Sequence, residues 1–217
     1  SVYGLTTSIT HFLAYISLLE GGVSGVARAA LYKPLADQEQ TNITGVYTEI
    51  VRFFRIIASV FLVYTFLLAV GYKYIADEPK FDWIFTFVLV LVMSISTLAQ
   101  YFFGISNSIL VQADQKHYIN NLISIFALLL NTVLVILLVN IGCDIILVKL
   151  ISGCVYLIRP FALMLYVKKH YVLKSIKQSG KTKYLSQKWT ALGQHIAYFL
   201  HTNTDVVVLT IFTNLQT

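Results

Sequence analysis

Two sets of polar residues stand at spacings that would put each on one face of a helix otherwise too apolar to carry them. Ser17, Glu20, Ser24 and Arg28 fall within roughly 80° of one another on a 3.6-residue repeat. Gln194, Tyr198, His201 and Asp205 follow at intervals of four, three and four, and their cumulative rotation stays within about 40° of the start. His201 and Asp205 lie one turn apart, close enough to pair, with Asn203 and Thr204 beside them. A third position is Arg159, followed by Pro160, which removes a backbone donor and loosens the local helix. Lys149 and His11 complete the set; Lys149 is close enough to a span end to snorkel, and a lone His reads first as a packing residue.

Charge in hydrocarbon is costly, so such residues face a bundle interior or a wet cavity and mark pathways or ion relays. For the first stripe the expectation is a polar face toward a cavity, with Arg28 at its mouth. The alternative is that Arg28 snorkels to the interface and Glu20 is neutralised by a partner. The stripe containing His201 either lines a pathway or locks helices together. The chemistry is that of binding and translocation. There is no nucleophile elbow, no phosphate-cradling glycine loop and no H-E-x-x-H pair. Cys143 and Cys154 are too far apart for a C-x-x-C site, and no metal or other cofactor is implied.

The elements that hold these groups are membrane helices. Apolar residues make up 57% of the 217-residue chain and charged residues 12%; a soluble domain carries about twice that charge. From Trp83 to Ala113, and again from Tyr118 to Cys143, there is no Asp, Glu, Lys or Arg. About 20 such residues suffice to cross the hydrocarbon core. Six spans are expected, at 5–31, 53–74, 83–108, 118–140, 145–167 and 189–215. Uninterrupted apolar runs exclude barrel strands, which alternate. Gly21, Gly22 and Gly25 in the first span form a small-residue pattern that lets a neighbouring helix come close.

Charge orients the bundle. Every second loop is basic: around Lys33 and Arg52, at Lys116, and along Lys168, Lys169, Lys174, Lys177, Lys181, Lys183 and Lys188. With their flanks these loops hold 12 of the 16 Lys and Arg residues. The positive-inside rule puts them in the cytoplasm, so the first span runs inward. The net charge of +6 is thus a topology signal, with nucleic acid excluded as a partner and membrane lipids implied. The chain opens with Ser1 and no basic leader, as the interior of a longer protein would.

Tyr3-Gly4-Leu5, Ile16-Ser17-Leu18-Leu19-Glu20-Gly21-Gly22-Val23 and Ala27-Arg28 resemble the second helix of bacterial polysaccharide flippases. These are the O-antigen and capsule repeat-unit transporters of the multidrug/oligosaccharidyl-lipid/polysaccharide exporter superfamily. Leu110-Val111-Gln112-Ala113-Asp114-Gln115-Lys116 with Tyr118-Ile119-Asn120-Asn121 resembles their turn between helices four and five. Asn203-Thr204-Asp205-Val206-Val207-Val208-Leu209 resembles helix seven. The resemblance implies a 12–14-helix protein of two lobes in the bacterial cytoplasmic membrane. Residues 1–167 would be helices two to six of the N-terminal lobe, 168–188 the basic linker, and 189–217 the first helix of the C-terminal lobe. The rest of the chain would complete the cavity. It further implies alternating access for a lipid-linked oligosaccharide. On that reading Arg28 and Arg159 would hold the anionic headgroup, Glu20, His201 and Asp205 would couple to H+ or Na+, Gln194 and Tyr198 would complete the lining, and no residue would be catalytic. A multidrug or cation exporter of the same superfamily is the alternative, and would want a more acidic cavity. A membrane-embedded glycosyl- or acyltransferase is a third reading and would need Asp77, Glu78 or Asp82 in an outward loop.

Overall fold

The computed structural model describes residues 2–14, 17–76 and 82–173, with positions 190, 193, 194 and 197 beyond them. Every element among the described residues is helical: α1 (Val2–Ala14), α2 (Ser17–Ala36), α3 (Gln40–Ala76), α4 (Trp83–Ala99), a π turn (Gln100–Gly104), α5 (Ile105–Ala113), α6 (His117–Ile141), α7 (Ile145–Tyr156) and α8 (Ile158–His170). A bilayer leaves no other choice for such apolar stretches, because each backbone N–H and C=O must be paired within the segment. Hydroxyls inside the spans follow the same rule: Thr44, Thr48, Ser59, Thr86, Ser124 and Thr132 each donate to the carbonyl four residues back.

Among the described residues, four helical stretches are long and apolar enough to span a membrane: Gln40–Tyr72, Trp83–Ala113, His117–Ile141 and Ile145–His170. They correspond to the second through fifth expected spans. The first expected span is covered by α1 and α2, and residues 15–16 between them lie outside the described residues. α2 carries Glu20, Arg28 and Lys33, so its composition is less apolar than that of the four. The sixth span and the linker from residue 174 lie outside the described residues, apart from the isolated positions. The chain is therefore an all-helical, multi-pass membrane protein.

The loops are shorter than hydropathy implied. The 32–52 loop is in fact the end of α2, three residues and the first turns of α3. Apolarity marks where a helix enters lipid; it does not mark where the helix begins. The ends are set by backbone chemistry. At the α2–α3 turn Gln38 adopts φ 56° and the Glu39 N–H reaches the Pro34 carbonyl at 3.0 Å. At the α5–α6 turn Gln115 has φ 58° and the Lys116 N–H reaches Val111 O at 2.9 Å. Both are left-handed caps that close a helix by a six-to-one bond. Gly142 (φ 82°) does the same after α6, with the Cys143 N–H on Leu138 O at 3.0 Å. A side chain at such a position is strained where glycine is not. Gln115→Gly is therefore expected to stabilise the protein by about 0.5–1 kcal/mol, read as a higher Tm in detergent; a fall would assign the Gln115 side chain a tertiary role.

α3 runs through the core, burying Val46, Ile50, Phe54, Ile57, Phe61, Leu68 and Tyr72 at helical spacing against its neighbours. α5 is buried on nearly every side. α6 buries only Ala127 and presents Leu122, Ile125, Phe126, Leu129, Val133 and Ile136 outward, as a lipid-facing helix does. Of the small-residue pattern in the first span, Gly25 faces open space, and a Cβ there would meet nothing within 4 Å. A close helix approach is found at Gly153, where a Cβ would lie 3.5 Å from the Val92 carbonyl, so α7 seats directly on α4.

Candidate functional site: a polar cavity at the π turn

Two breaks within the spans build this site. Pro160 has no N–H to offer Tyr156, and α7 ends at Tyr156 while α8 begins at Ile158. In the facing span the helix widens at Gln100–Gly104, where the Ile105 N–H bonds Gln100 O. Such π turns insert an extra residue and re-aim side chains. Gly104 leaves room there for the Gln100 side chain, whose oxygen would lie 2.3 Å from a Cβ and would have to swing aside for any larger residue.

Between these breaks and α2 lies a cavity of about 360 Å³, lined by Glu20, Ser96, Thr97, Gln100, Tyr101, Tyr156 and Arg159. At ~30 Å³ per water it is room for roughly a dozen waters, or a small polar headgroup. The Tyr101 hydroxyl donates to Glu20 Oε2 at 2.9 Å. Arg159 holds its Nε buried with no acceptor among the described residues. No ion pair joins Arg159 to Glu20 among the described residues, so acid and base share a wall without cancelling each other. Tyr156 is held from behind: the Ser152 hydroxyl donates to Asn131 Oδ1 at 2.6 Å, and Asn131 Nδ2 reaches the Tyr156 oxygen at 3.4 Å. Through this link the lipid-facing α6 helps set the cavity wall.

Glu20 and Arg159 are thus brought together. Arg28 is not with them. Eight residues further along α2, it donates from Nη1 to Gln112 Oε1 at 2.8 Å, and Gln112 donates in turn to Ser108 at 2.8 Å. Its guanidinium braces α2 on α5 near the basic end of the bundle. His11 is exposed on α1, and Gln194 is exposed and helical. Tyr198, His201 and Asp205 lie outside the described residues. The acid proposed for a transferase, Asp82, accepts from the Trp83 N–H at 2.8 Å and caps α4; Asp77 and Glu78 are outside the described residues. Cys143 and Cys154 are free thiols, and the described residues hold no group of three His, Cys, Asp or Glu fit for a metal.

Residues that spacing alone did not single out are Tyr101, Gln100 and Tyr156. Each is an ordinary interfacial or polar residue until the π turn and the proline break aim it inward.

A second polar cluster ties the basic end together. Tyr171, just after α8, donates to Asp114 Oδ2 at 2.5 Å. Lys116 Nζ meets the same oxygen at 2.6 Å and stands 5.6 Å from the Tyr171 ring centroid. Arg28–Gln112, a Tyr47–Asn107 hydrogen bond at 2.7 Å and this cluster put all three described basic turns at one end of the bundle. Burial, then the Asp114 bond, pushes the Tyr171 phenol up from its ordinary value; the bond to Asp114 pushes the exposed Lys116 up. Groups with raised folded pKa values hold stabilisation below their unfolded values and lose it as pH rises through the folded ones. The cluster should therefore be intact at neutral pH and open only above about pH 10. Tyrosinate absorbance with Tm across pH 8–12 checks this; Asp114→Asn should move the onset downward, and an unchanged onset would refute the assignment.

Compared with protein-family models, with curated proteins and with solved structures, the chain has no match in any of the three.

Proposed function

We propose that this chain is part of a transporter that flips a lipid-linked oligosaccharide across the bacterial cytoplasmic membrane by alternating access. The observation that carries the reading is the polar cavity at membrane depth, where the Arg159 guanidinium has a donor to spare. Guanidinium geometry suits phosphate oxygens, and low dielectric strengthens the contact. The two helix breaks lie on facing walls, where alternating-access proteins place both their sites and their bends. Glu20, hydrogen-bonded to Tyr101 in the same cavity, is the group suited to couple movement to H+ or Na+. Arg28, seated on Gln112, would serve at the cavity's cytoplasmic mouth.

One observation favours a second reading. A carboxylate lines the cavity alongside the arginine, and a cation exporter would use it. The deciding experiment is translocation by the full chain in vesicles. A fluorescent diphosphate-linked oligosaccharide is loaded in one leaflet and its protection is followed, with efflux of a lipophilic cation in parallel. Sugar translocation without cation efflux is expected. Cation efflux alone would replace the proposal with the exporter reading, and turnover of a sugar donor would replace both.

A further inference from the structure

We infer that the outer face of α3 is a binding site for an anionic phospholipid of the cytoplasmic leaflet. A groove of about 480 Å³ runs along this face, with Arg52 and Arg55 on its walls and Val51, Ile56 and Val60 along its floor. Both arginines are exposed, and neither guanidinium makes a hydrogen bond or ion pair with another described residue. The neighbouring hydroxyls are already spent: Thr48 donates to Thr44 O at 2.7 Å and Ser59 to Arg55 O at 2.9 Å. The donors left for a ligand are thus the two guanidiniums, up to ten N–H groups at one level of one helix.

Charge says what those donors want, and position says where it comes from. The pair lies near the basic end of the bundle, at the border where α3 turns apolar, and the inner leaflet supplies acidic headgroups there. The face beyond the arginines fits the rest of the molecule. Ile56, Val60, Val63 and Leu67, 50–64% exposed, continue in one line at helical spacing. From Ile56 to Leu67 the helix rises about 16 Å, half of a hydrocarbon core of about 30 Å. A phosphate between Arg52 and Arg55 would therefore let an acyl chain lie along α3 to the bilayer midplane. Arginines that only snorkel would need no such groove, and a soluble anion would gain nothing from the apolar line.

The test uses the full chain in a mild detergent, offered equal amounts of dioleoyl phosphatidylglycerol and dioleoyl phosphatidylcholine, with retained lipid read by native mass spectrometry. Preferential retention of phosphatidylglycerol is expected. At about a factor of five per basic residue, R52Q/R55Q should lower that preference roughly thirtyfold. R52K/R55K, which keeps the charge, should retain much of it, and K168Q/K169Q at the same end should leave it unchanged. A tryptophan at Val60 (V60W) should be quenched more by brominated phosphatidylglycerol than by brominated phosphatidylcholine. Equal retention of the two lipids, or an R52Q/R55Q preference matching the parent, would overturn the site. So would a parent that runs as a dimer and an R52Q/R55Q variant that runs as a monomer, which would assign the face to a second copy of the chain.

Discussion

Arg159→Gln is expected to reduce translocation of a lipid-linked oligosaccharide roughly a hundredfold, with insertion and Tm nearly unchanged. The size follows from where the guanidinium stands. Its Nε is buried with no acceptor among the described residues, which leaves that donor for a ligand. An anionic headgroup entering the cavity would satisfy that donor in a medium that screens it little, and truncating such a contact costs about 2–5 kcal/mol. The cost falls on binding because no ion pair within the described fold depends on Arg159. Lysine should recover only part, since a point charge does not reproduce a fork that meets two phosphate oxygens. Glu20→Gln is the informative companion. Under the flippase reading it alters the dependence on H+ or Na+ while the headgroup still binds. Under the exporter reading it abolishes cation efflux, and Arg159→Gln spares it. If Arg159→Gln left sugar translocation at the parent's rate, the headgroup role would be lost.

How much of this was legible in the sequence depends on the kind of signal. The runs from Trp83 to Ala113 and Tyr118 to Cys143 could only be membrane helices, and the structure keeps each helical to within a few residues of its limits. Pro160 announced a break because the missing donor is a covalent fact. Glu20 and Arg159 were visible because charge at membrane depth is rare. Tyr101 was not, since its approach to Glu20 depends on the π turn, and Gln100–Gly104 contains nothing that demands one in advance; Gly104 permits the turn but does not declare it. The position of Arg28 turned on Gln112, a neutral residue 84 positions away, and helical spacing within α2 cannot reveal a partner on α5. Periodicity reports which residues share a face. It is silent on which face meets which.

That difference between facing lipid and facing protein has its own measurable consequence. Phe54→Ala is expected to destabilise the bundle by about 2 kcal/mol, and Leu129→Ala by less than about 0.5 kcal/mol. Both residues are large and apolar, and in hydropathy they are alike. Phe54 is fully buried in the α3 core, edge-on to Phe53 with ring centroids 5.5 Å apart. Leu129 on α6 is 62% exposed, on the outward face of the bundle. In a water-soluble core, Phe→Ala costs about 3–5 kcal/mol, combining lost transfer energy with the cavity left behind. In a bilayer the transfer part nearly vanishes, because lipid tails are as apolar as the core. The cavity part survives: at about 24 cal/mol per Å³, an unfilled volume on the order of 100 Å³ leaves about 2 kcal/mol. At Leu129 lipid flows into the gap and even that part disappears. Unfolding of the full chain in mixed micelles, read as helicity against denaturing detergent fraction, measures both. Equal losses at the two sites would mean that α3 is not the protein-facing helix its buried stripe describes.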